Sequence, residues 1–437
     1  MNHSKSEACA LSREANYFAE VERNLPRNFM ANLAHGMLGL TGFRLMYAPT
    51  FVPAYVFALS GSKVAVGFAL GAQFMGMALS SIWGATLIEH RDRVLKVVNS
   101  VGWLVRLQIL GLAASAFLLS GHWALIAACT FLTLFGFFSG MQGVAFNVLM
   151  SKVIPINQRG KLLGLRNFLG GLIASGVAYL GGRYLVGLNA FGNGYASTFL
   201  LSFILTSIGI TALRFVREPQ SLSVRAQPSR LLERMAEIPA MLRGDSNYRR
   251  LFFARGLGAL GTTAVPFYIL HIGQFIPLSG QALGYFSLVF LLPQTVSNLL
   301  WGKIADVSGY RLVFLLSVGL WCSSTVLLIF STSLPLFLIA FCGLGAGQAG
   351  YQIASQSFVL EFGKQHELPM LIAVSDTASH LMMVLGPLLG GLIATQLNYV
   401  VVFWLSVGFL FIAVMTVWRM DEPRQRSNAR PVNSRKP

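Results

Sequence analysis

Long apolar stretches follow one another along the chain and predict its fold. Runs of about 20 mostly hydrophobic residues are long enough to cross a hydrocarbon core roughly 30 Å thick as helices. They lack the alternation of apolar and polar positions that the strands of a membrane barrel show over about ten residues. The pattern therefore predicts an all-α membrane protein with twelve transmembrane helices, over residues 30–59, 64–87, 94–119, 123–149, 162–185, 196–213, 251–275, 282–301, 312–331, 334–359, 371–397 and 399–418.

The residues that punctuate these stretches recur about half a chain apart. Pro49 and Pro266 are separated by 217 positions, and Trp83 and Trp301 by 218 positions. This register indicates a duplicated bundle, and it predicts two pseudo-symmetric six-helix bundles with any substrate site between them. We expect a cytoplasmic N-tail (1–29), an N-terminal bundle (30–213), a cytoplasmic linker (214–250), a C-terminal bundle (251–419) and a basic cytoplasmic tail (420–437).

Basic residues gather in alternate loops and predict the orientation. The 33 lysines and arginines fall mainly in the N-tail, in the loops after helices 2 and 4, in the linker and in the C-tail. Basic loops stay in the cytoplasm, so both termini are predicted to be cytoplasmic, and we expect a bacterial inner membrane. Because topology accounts for the net charge of +17, we expect no nucleic-acid partner.

Composition supports a membrane protein and gives no sign of a bound metal. The chain is 54% hydrophobic and 11% charged, which is far less charge than a soluble protein of this length carries. Its four cysteines show no paired spacing, so we expect no disulfide and no metal. We also expect no cofactor, and we expect the protein to be a monomer among membrane lipids. In the linker, Leu231, Met235, Ile238 and Leu242 recur at helical spacing, which fits either a helix on the inner leaflet or a solvated basic linker.

One loop carries a recognisable motif. After the predicted eighth helix, residues 302–311 read Gly-Lys-Ile-Ala-Asp-Val-Ser-Gly-Tyr-Arg. This resembles the signature loop of the major facilitator superfamily, Gly-x-Leu-Ala-Asp-(Arg)-x-Gly-Arg-Arg, which lies between helices 2 and 3 and is echoed between helices 8 and 9. A degenerate first copy places Glu89 at the acid position and keeps Arg93. The resemblance implies the superfamily fold and a loop latch that gates it, with Glu89, Arg93, Asp306 and Arg311 as gating residues. Alternatively, these charged residues have no gating role and only reflect the usual excess of basic residues in cytoplasmic loops.

A few charged residues lie inside the predicted spans, where each costs roughly 2.5 to 3.5 kcal/mol unless it is paired or hydrated. The resemblance implies that helices 1, 4, 7 and 10 line a cavity. Arg44 on helix 1 is therefore expected to contact substrate, whereas Arg106 on helix 3 is expected to be structural. Asp376 is the only carboxylate well inside a span, so it leads the candidates for proton coupling, followed by His35, His271 and His380, each of which can also be a core histidine.

Polar residues draw stripes along two predicted helices. Gln348, Gln352 and Gln356 recur every four residues on helix 10, with Tyr351 beside them. Helix 4 carries Gln142 and Asn147. Such stripes indicate either a wet cavity or hydrogen bonds between helices. We take Arg44, Gln142, Asn147, Gln348, Tyr351 and Gln352 as the candidate substrate-binding residues.

These features predict a secondary active transporter that moves a small solute across the cytoplasmic membrane by alternating access. Buried arginine exceeds buried acid, which favours an anionic or zwitterionic substrate. Alternatives are a proton-coupled exporter of amphipathic compounds and a lipid flippase on the same fold. The exporter reading is weakened because Ser139 stands where drug/proton antiporters of this type carry an arginine. No grouped catalytic constellation is found, so we do not expect an enzyme.

Overall fold

The structure is a computed structural model that describes residues 2–88, 91–220, 242–243, 246–361 and 368–420. Over these residues it is helical and contains no strand. Glu89, most of the linker with its candidate surface helix, and the basic tail from residue 421 lie outside the described residues. The helices are α1 (Asn2–Tyr47), α2 (Phe51–Ser60), α3 (Lys63–Ile88), α4 (Leu95–Leu118), α5 (Gly121–Val153), α6 (Ile156–Leu180), α7 (Gly194–Thr211), α8 (Ser246–Leu260), α9 (Val265–Ile272), α10 (Gly280–Ser308), α11 (Tyr310–Phe330), α12 (Leu334–Ser357), α13 (Leu368–Gln396) and α14 (Tyr399–Trp418).

Ten helical segments in the described part of the chain are long and apolar enough to cross a membrane. The other two predicted spans, the first and the seventh, are helices in two pieces. The first is interrupted between α1 and α2, around Pro49, and the seventh passes through a 3₁₀ turn at Gly261–Ala264 before α9. Proline has no N–H to donate and its ring blocks the preceding turn, so Pro49 and Pro266 explain where the breaks fall. The predicted all-α membrane fold is confirmed.

Helix α1 begins well before the predicted membrane span. It runs for 46 residues and includes Pro26, so most of the predicted N-tail is helical. Tyr17, on this extension, donates a hydrogen bond from its hydroxyl to the backbone oxygen of Lys152 at 3.1 Å. The extension is therefore anchored to the end of α5.

The chain divides into two compact units. Unit 1 comprises Met1–Ser229 with Leu278–Leu288, and unit 2 comprises Arg230–Pro277 with Val289–Pro437. In unit 1, α1 packs on α6 and α7, while α5 packs on α3 and α4. In unit 2, α11 packs on α12 and α14, and α8 packs on α13 and α14. One buried cluster joins α1, α4, α5, α6 and α7 through residues that include Leu33, Val98, Leu149, Leu162 and Ile210.

The first turns of α10 belong to unit 1 and approach α6 closely. A methyl group on Gly284 would meet the backbone oxygen of Tyr179, and one on Gly182 would overlap the backbone of Gly284. Only glycine permits backbones to pack at this distance. In the same segment, the hydroxyls of Thr50 and Ser287 hydrogen bond at 2.7 Å.

The segment that follows α7 folds back onto unit 1. Glu218, which is 9% exposed, accepts hydrogen bonds from the backbone N–H groups of Val94 (2.7 Å) and Leu95 (2.8 Å) at the start of α4. Lys152 Nζ lies 3.3 Å from the same carboxylate. A carboxylate is favoured at this position because it satisfies free N–H groups and complements the helix dipole. The segment is thus fixed to unit 1 by an acid that caps α4.

Candidate functional site: buried arginines and an ion pair

Arg44 lies on α1 and faces α6. The side chain is half-buried, and its Nη2 is 3.5 Å from the backbone oxygen of Asn167. Asn167 is itself exposed. Arg44 therefore lies at a partly accessible edge of unit 1.

Arg106 on α4 is completely buried, at 0% exposure. It donates to the backbone oxygens of Thr206 (3.2 Å) and Gly102 (2.7 Å) and to Gln142 Oε1 (3.1 Å). Its guanidinium group also lies 5.2 Å from the centre of the Phe43 ring. These contacts tie α1, α4, α5 and α7 together, and they engage the side-chain oxygen of Gln142. Nothing in the sequence links Arg106 to Gln142, because the pairing depends on the tertiary fold.

Arg166 on α6 is buried against α1 and α5. It is 6% exposed, and its guanidinium carbon lies 4.7 Å from the centre of the Phe146 ring. Its Nε has no hydrogen-bond partner among the described residues. His35 on α1 lies on the same ring, with ring centroids 5.2 Å apart, and both of its nitrogens also lack partners in this part of the structure.

Acidic residues are absent from the predicted membrane spans that hold these arginines. Between Glu22 and Glu218 the sequence contains only two acids, Glu89 and Asp92, and both fall between α3 and α4. The predicted spans of the first bundle thus contain arginine without any carboxylate. Inside a membrane span each such charge is costly unless it is paired or hydrated.

Unit 2 contains the opposite arrangement, an arginine with a bound acid. Arg255 on α8 donates to Asp376 and to Ser375 on α13. The Arg255 side chain is 4% exposed, whereas that of Asp376 is 42% exposed. Tyr351 donates from its hydroxyl to the backbone oxygen of Arg255 at 3.1 Å. The sequence singled out Asp376 but did not pair it with Arg255.

The glutamine stripe is partly accessible. Gln352 is exposed on α12, and so is Gln356 one turn later. Gln348 is half-buried, and its Nε2 is buried without a partner among the described residues. Tyr351 lies on a different face, with its ring 5.8 Å from that of Phe314 and 5.6 Å from that of Trp321. On α5, Asn147 is exposed while Gln142 is buried.

The four coupling candidates do not form one cluster. His380 follows Asp376 by one turn on α13, so the two lie on one helix face. His271 lies elsewhere in unit 2, with the rings of Phe275 and Phe403 each 5.2 Å away. His35 belongs to unit 1. Within unit 2, the structure therefore places His380 near the predicted coupling acid.

The candidate gating residues have separate surroundings. Arg311, at the start of α11, donates to the backbone oxygens of Val417 (3.3 Å) and Trp418 (2.8 Å) at the end of α14. A cation is favourable there because it satisfies free carbonyl groups at the negative end of the helix dipole. Arg93 is exposed ahead of α4, and Asp306 lies in the last turn of α10.

Known proteins of the same fold cover almost the whole chain. The nucleoside transporter NupG covers 90% of this chain and 100% of its own, with a TM-score of 0.68 and 12% identity. The human organic anion transporter MFSD10 (TETRAN) covers 90% and 99%, with a TM-score of 0.65 and 13% identity. A bacterial homolog of the human lysosomal transporter Spinster covers 90% and 94%, with a TM-score of 0.61 and 13% identity.

The C-terminal part of the chain also matches a known protein family in sequence. Residues 251–437 match the Major Facilitator Superfamily. The C-terminal part of the chain belongs to the major facilitator superfamily. With this match and ten continuous apolar helices in its described residues, the chain is a multi-pass integral membrane protein. The resemblance drawn from the loop at residues 302–311 is confirmed.

Curated relatives match only part of the chain. The vacuolar basic amino acid transporter 5 of Saccharomyces cerevisiae is 19% identical over 153 residues, which are 34% of this chain and 26% of that protein. The uncharacterized MFS-type transporter YvkA of Bacillus subtilis is 29% identical over 141 residues, which are 32% of this chain and 31% of YvkA. The matched regions thus span less than a third of either relative.

Proposed function

We propose that this superfamily member is a secondary transporter that moves a small anionic or zwitterionic solute across the membrane by alternating access. Family and fold support transport. The observation that carries the substrate class is the set of arginines at residues 44, 106 and 166, in spans that contain no acid. Such a surplus of positive charge attracts an anion and disfavours a cation.

The similar proteins do not indicate which substrate this chain binds. Their names refer to nucleosides, organic anions and basic amino acids, and the identities of 12%, 13% and 19% leave the chemistry of the site open. One fold serves many functions, so the substrate class has to come from the residues of this chain.

The proposed solute contacts are Arg44, Asn147, Gln348 and Gln352. Each is exposed or half-buried, and each offers a side-chain donor. Gln142 and Tyr351 are proposed as positioning residues, because their oxygen atoms engage Arg106 and the backbone of Arg255. Their effect on transport is expected to pass through those arginines.

We propose that Asp376 couples transport to protons. Its side chain combines exposure with an ion pair to Arg255, so protonation would release a buried arginine. His380 is the second candidate by proximity, followed by His35 and His271. The latch formed by Glu89, Arg93, Asp306 and Arg311 and the cytoplasmic position of both termini complete the proposed mechanism in a bacterial inner membrane.

Solute counterflow in proteoliposomes tests the substrate class. Vesicles loaded with benzoate, succinate, glutamate, choline or glucose are diluted into the same labelled solute. We expect accumulation of an anion or of glutamate, and a loss of about tenfold with Arg44→Ala, because a charge-assisted contact is removed. Arg91→Ala is the matched control, since Arg91 is exposed ahead of α4. Accumulation of choline alone would make the proposal wrong.

Coupling is tested in the same vesicles. Asp376→Asn keeps the shape of the side chain but cannot titrate, so uptake driven by a pH gradient should be lost while counterflow persists. Unchanged pH-driven uptake would remove Asp376 from the mechanism.

A lipid flippase is the second candidate, and one feature of unit 1 favours it. A groove of about 490 Å³ near the end of α6 is lined mainly by apolar side chains, including those of Leu180, Leu201 and Ile204. Such a groove suits an acyl chain. Movement of a fluorescent phospholipid between leaflets, without counterflow of any soluble solute, would support this candidate.

A further inference from the structure

The side chain of Arg166 is closely surrounded by Gly36 and Phe146, but its Nε lacks a hydrogen-bond partner among the described residues. It is 6% exposed, and its stem lies over Gly36 on α1. A methyl group at residue 36 would overlap the Nε and Cγ atoms of Arg166. The glycine therefore provides the space in which the arginine lies.

An aromatic ring fixes the plane of the guanidinium group. Its central carbon is 4.7 Å from the centre of the Phe146 ring, a distance typical of cation–π contact. This contact uses the face of the group, whereas the N–H donors lie along its edge. Stacking therefore does not use the N–H groups, and Nε has no hydrogen-bond partner among the described residues.

A second unsatisfied donor lies against the same ring. His35 is 5% exposed, its ring centroid is 5.2 Å from that of Phe146, and neither of its nitrogens has a partner in the described residues. A neutral imidazole always carries one N–H, so His35 can donate to an acceptor. Buried polar groups normally have partners, and here two side chains that contact one ring carry nitrogen atoms without a partner among the described residues.

A partner of opposite charge would have to come from outside the predicted spans of the first bundle. The spans that surround Arg166 contain no aspartate or glutamate. By contrast, Arg255 in unit 2 binds Asp376 and Ser375. A guanidinium fork matches two oxygen atoms of one carboxylate, and a single imidazole N–H can bind one of them.

We propose that Arg166 and His35 bind the carboxylate group of the transported solute. This inference rests on the proposed function and narrows it to carboxylate-bearing solutes. Phosphate and lipid phosphate share the oxyanion chemistry, but one guanidinium group and one neutral imidazole neutralise a single negative charge, which suits a carboxylate better than a doubly charged phosphate.

The test measures binding to the full-length protein purified in detergent. Sodium benzoate and succinate are the probes, choline chloride is the cation control, and phosphatidic acid in mixed micelles tests a lipid source. Unfolding temperature and calorimetric affinity are measured for wild type, Arg166→Gln, Arg166→Lys and His35→Gln. Arg183→Gln is the matched control, because Arg183 lies just beyond α6 and donates to the Tyr179 hydroxyl instead.

We expect Arg166→Gln to weaken benzoate or succinate binding by at least about tenfold, because a charge-assisted bidentate contact is lost. Arg166→Lys should fall between wild type and Arg166→Gln, since lysine keeps the charge but lacks the fork. His35→Gln should weaken binding less, and Arg183→Gln should leave it within about twofold. Without ligand, Arg166→Gln should unfold at or above the temperature of wild type, because it removes an unpaired buried charge.

The other outcomes separate the two proposals. If wild type binds benzoate and Arg166→Gln binds it within twofold, the subsite is wrong while the proposed function stands. If only choline binds, the proposed function is wrong. If phosphatidic acid alone binds through Arg166, the group recognised is a lipid phosphate. Should Arg166→Gln fail to fold, Arg166→Lys provides the comparison, and an unchanged affinity in that variant would also overturn the subsite.

Discussion

Removal of the carboxylate at Glu218 is expected to destabilise unit 1 markedly. This acid accepts from two backbone N–H groups at the start of α4 and lies 3.3 Å from Lys152 Nζ. Its side chain is 2% exposed, so water cannot readily replace the lost acceptor. Loss of a helix cap costs about 0.5–2 kcal/mol, and stranding a buried donor costs about 1–3 kcal/mol.

These contributions overlap, so we expect Glu218→Ala to lower the free energy of unfolding by about 2–4 kcal/mol. Glu218→Gln keeps one acceptor but loses the charge that complements the helix dipole, and should cost about 1–2 kcal/mol. Lys152→Met removes the partly exposed ion pair and the hydrogen bond from Lys152 Nζ to the backbone oxygen of Asp92 (3.1 Å), and it should cost about 1 kcal/mol.

Reversible unfolding in mixed micelles measures these differences, and the Glu218–Lys152 double mutant gives their coupling energy. Glu22→Gln is the control, because Glu22 is exposed on the extension of α1; it should stay within about 0.5 kcal/mol of wild type. A Glu218→Ala protein as stable as this control would show that the carboxylate does not cap α4.

Three further substitutions test close packing and capping. Gly36→Ala should weaken benzoate binding and lower the unfolding temperature, because the methyl group displaces Arg166; unchanged binding would argue against the enclosure. Gly284→Leu should lower the free energy of unfolding by about 1–3 kcal/mol or more, because its side chain overlaps α6. Gly302→Ala is the control and should leave the stability unchanged, since the space around Gly302 is open. If the two variants were equally stable, the close packing of α10 on α6 would be wrong. Arg311→Ala should cost about 0.5–1.5 kcal/mol by freeing carbonyl groups at the end of α14, measured by thermal unfolding, and no change would mean that the cap is not formed.

The helices could be predicted from the sequence because membrane insertion is a local requirement. Each apolar run has to satisfy its own backbone hydrogen bonds, so length and hydropathy are sufficient to locate it. The breaks at Pro49 and Pro266 were likewise predictable, since proline acts on the turn that contains it. The extension of α1 over the polar N-tail was not, because no apolar pattern signals it.

The contacts of the candidate site required the fold. Arg106 and Gln142 are 36 residues apart, and Arg255 and Asp376 are 121 residues apart, so no local spacing reports either pair. The same holds for Glu218, which looks like an ordinary linker acid until α4 is placed beside it. By contrast, the absence of acid around Arg166 could be read directly from the sequence.

The length of α1 has a practical consequence for observing motion. At about 1.5 Å per residue, the 46 residues of α1 measure roughly 70 Å along the helix, of which about 40 Å extends past a 30 Å hydrocarbon core. A tilt of about 10° would displace the far end of such an extension by roughly 7 Å. A fluorophore near the N-terminus would thus magnify small rotations of unit 1 into distances that energy transfer can resolve. The position of the N-terminal end of α1 would thus report the orientation of the helix that holds Arg44.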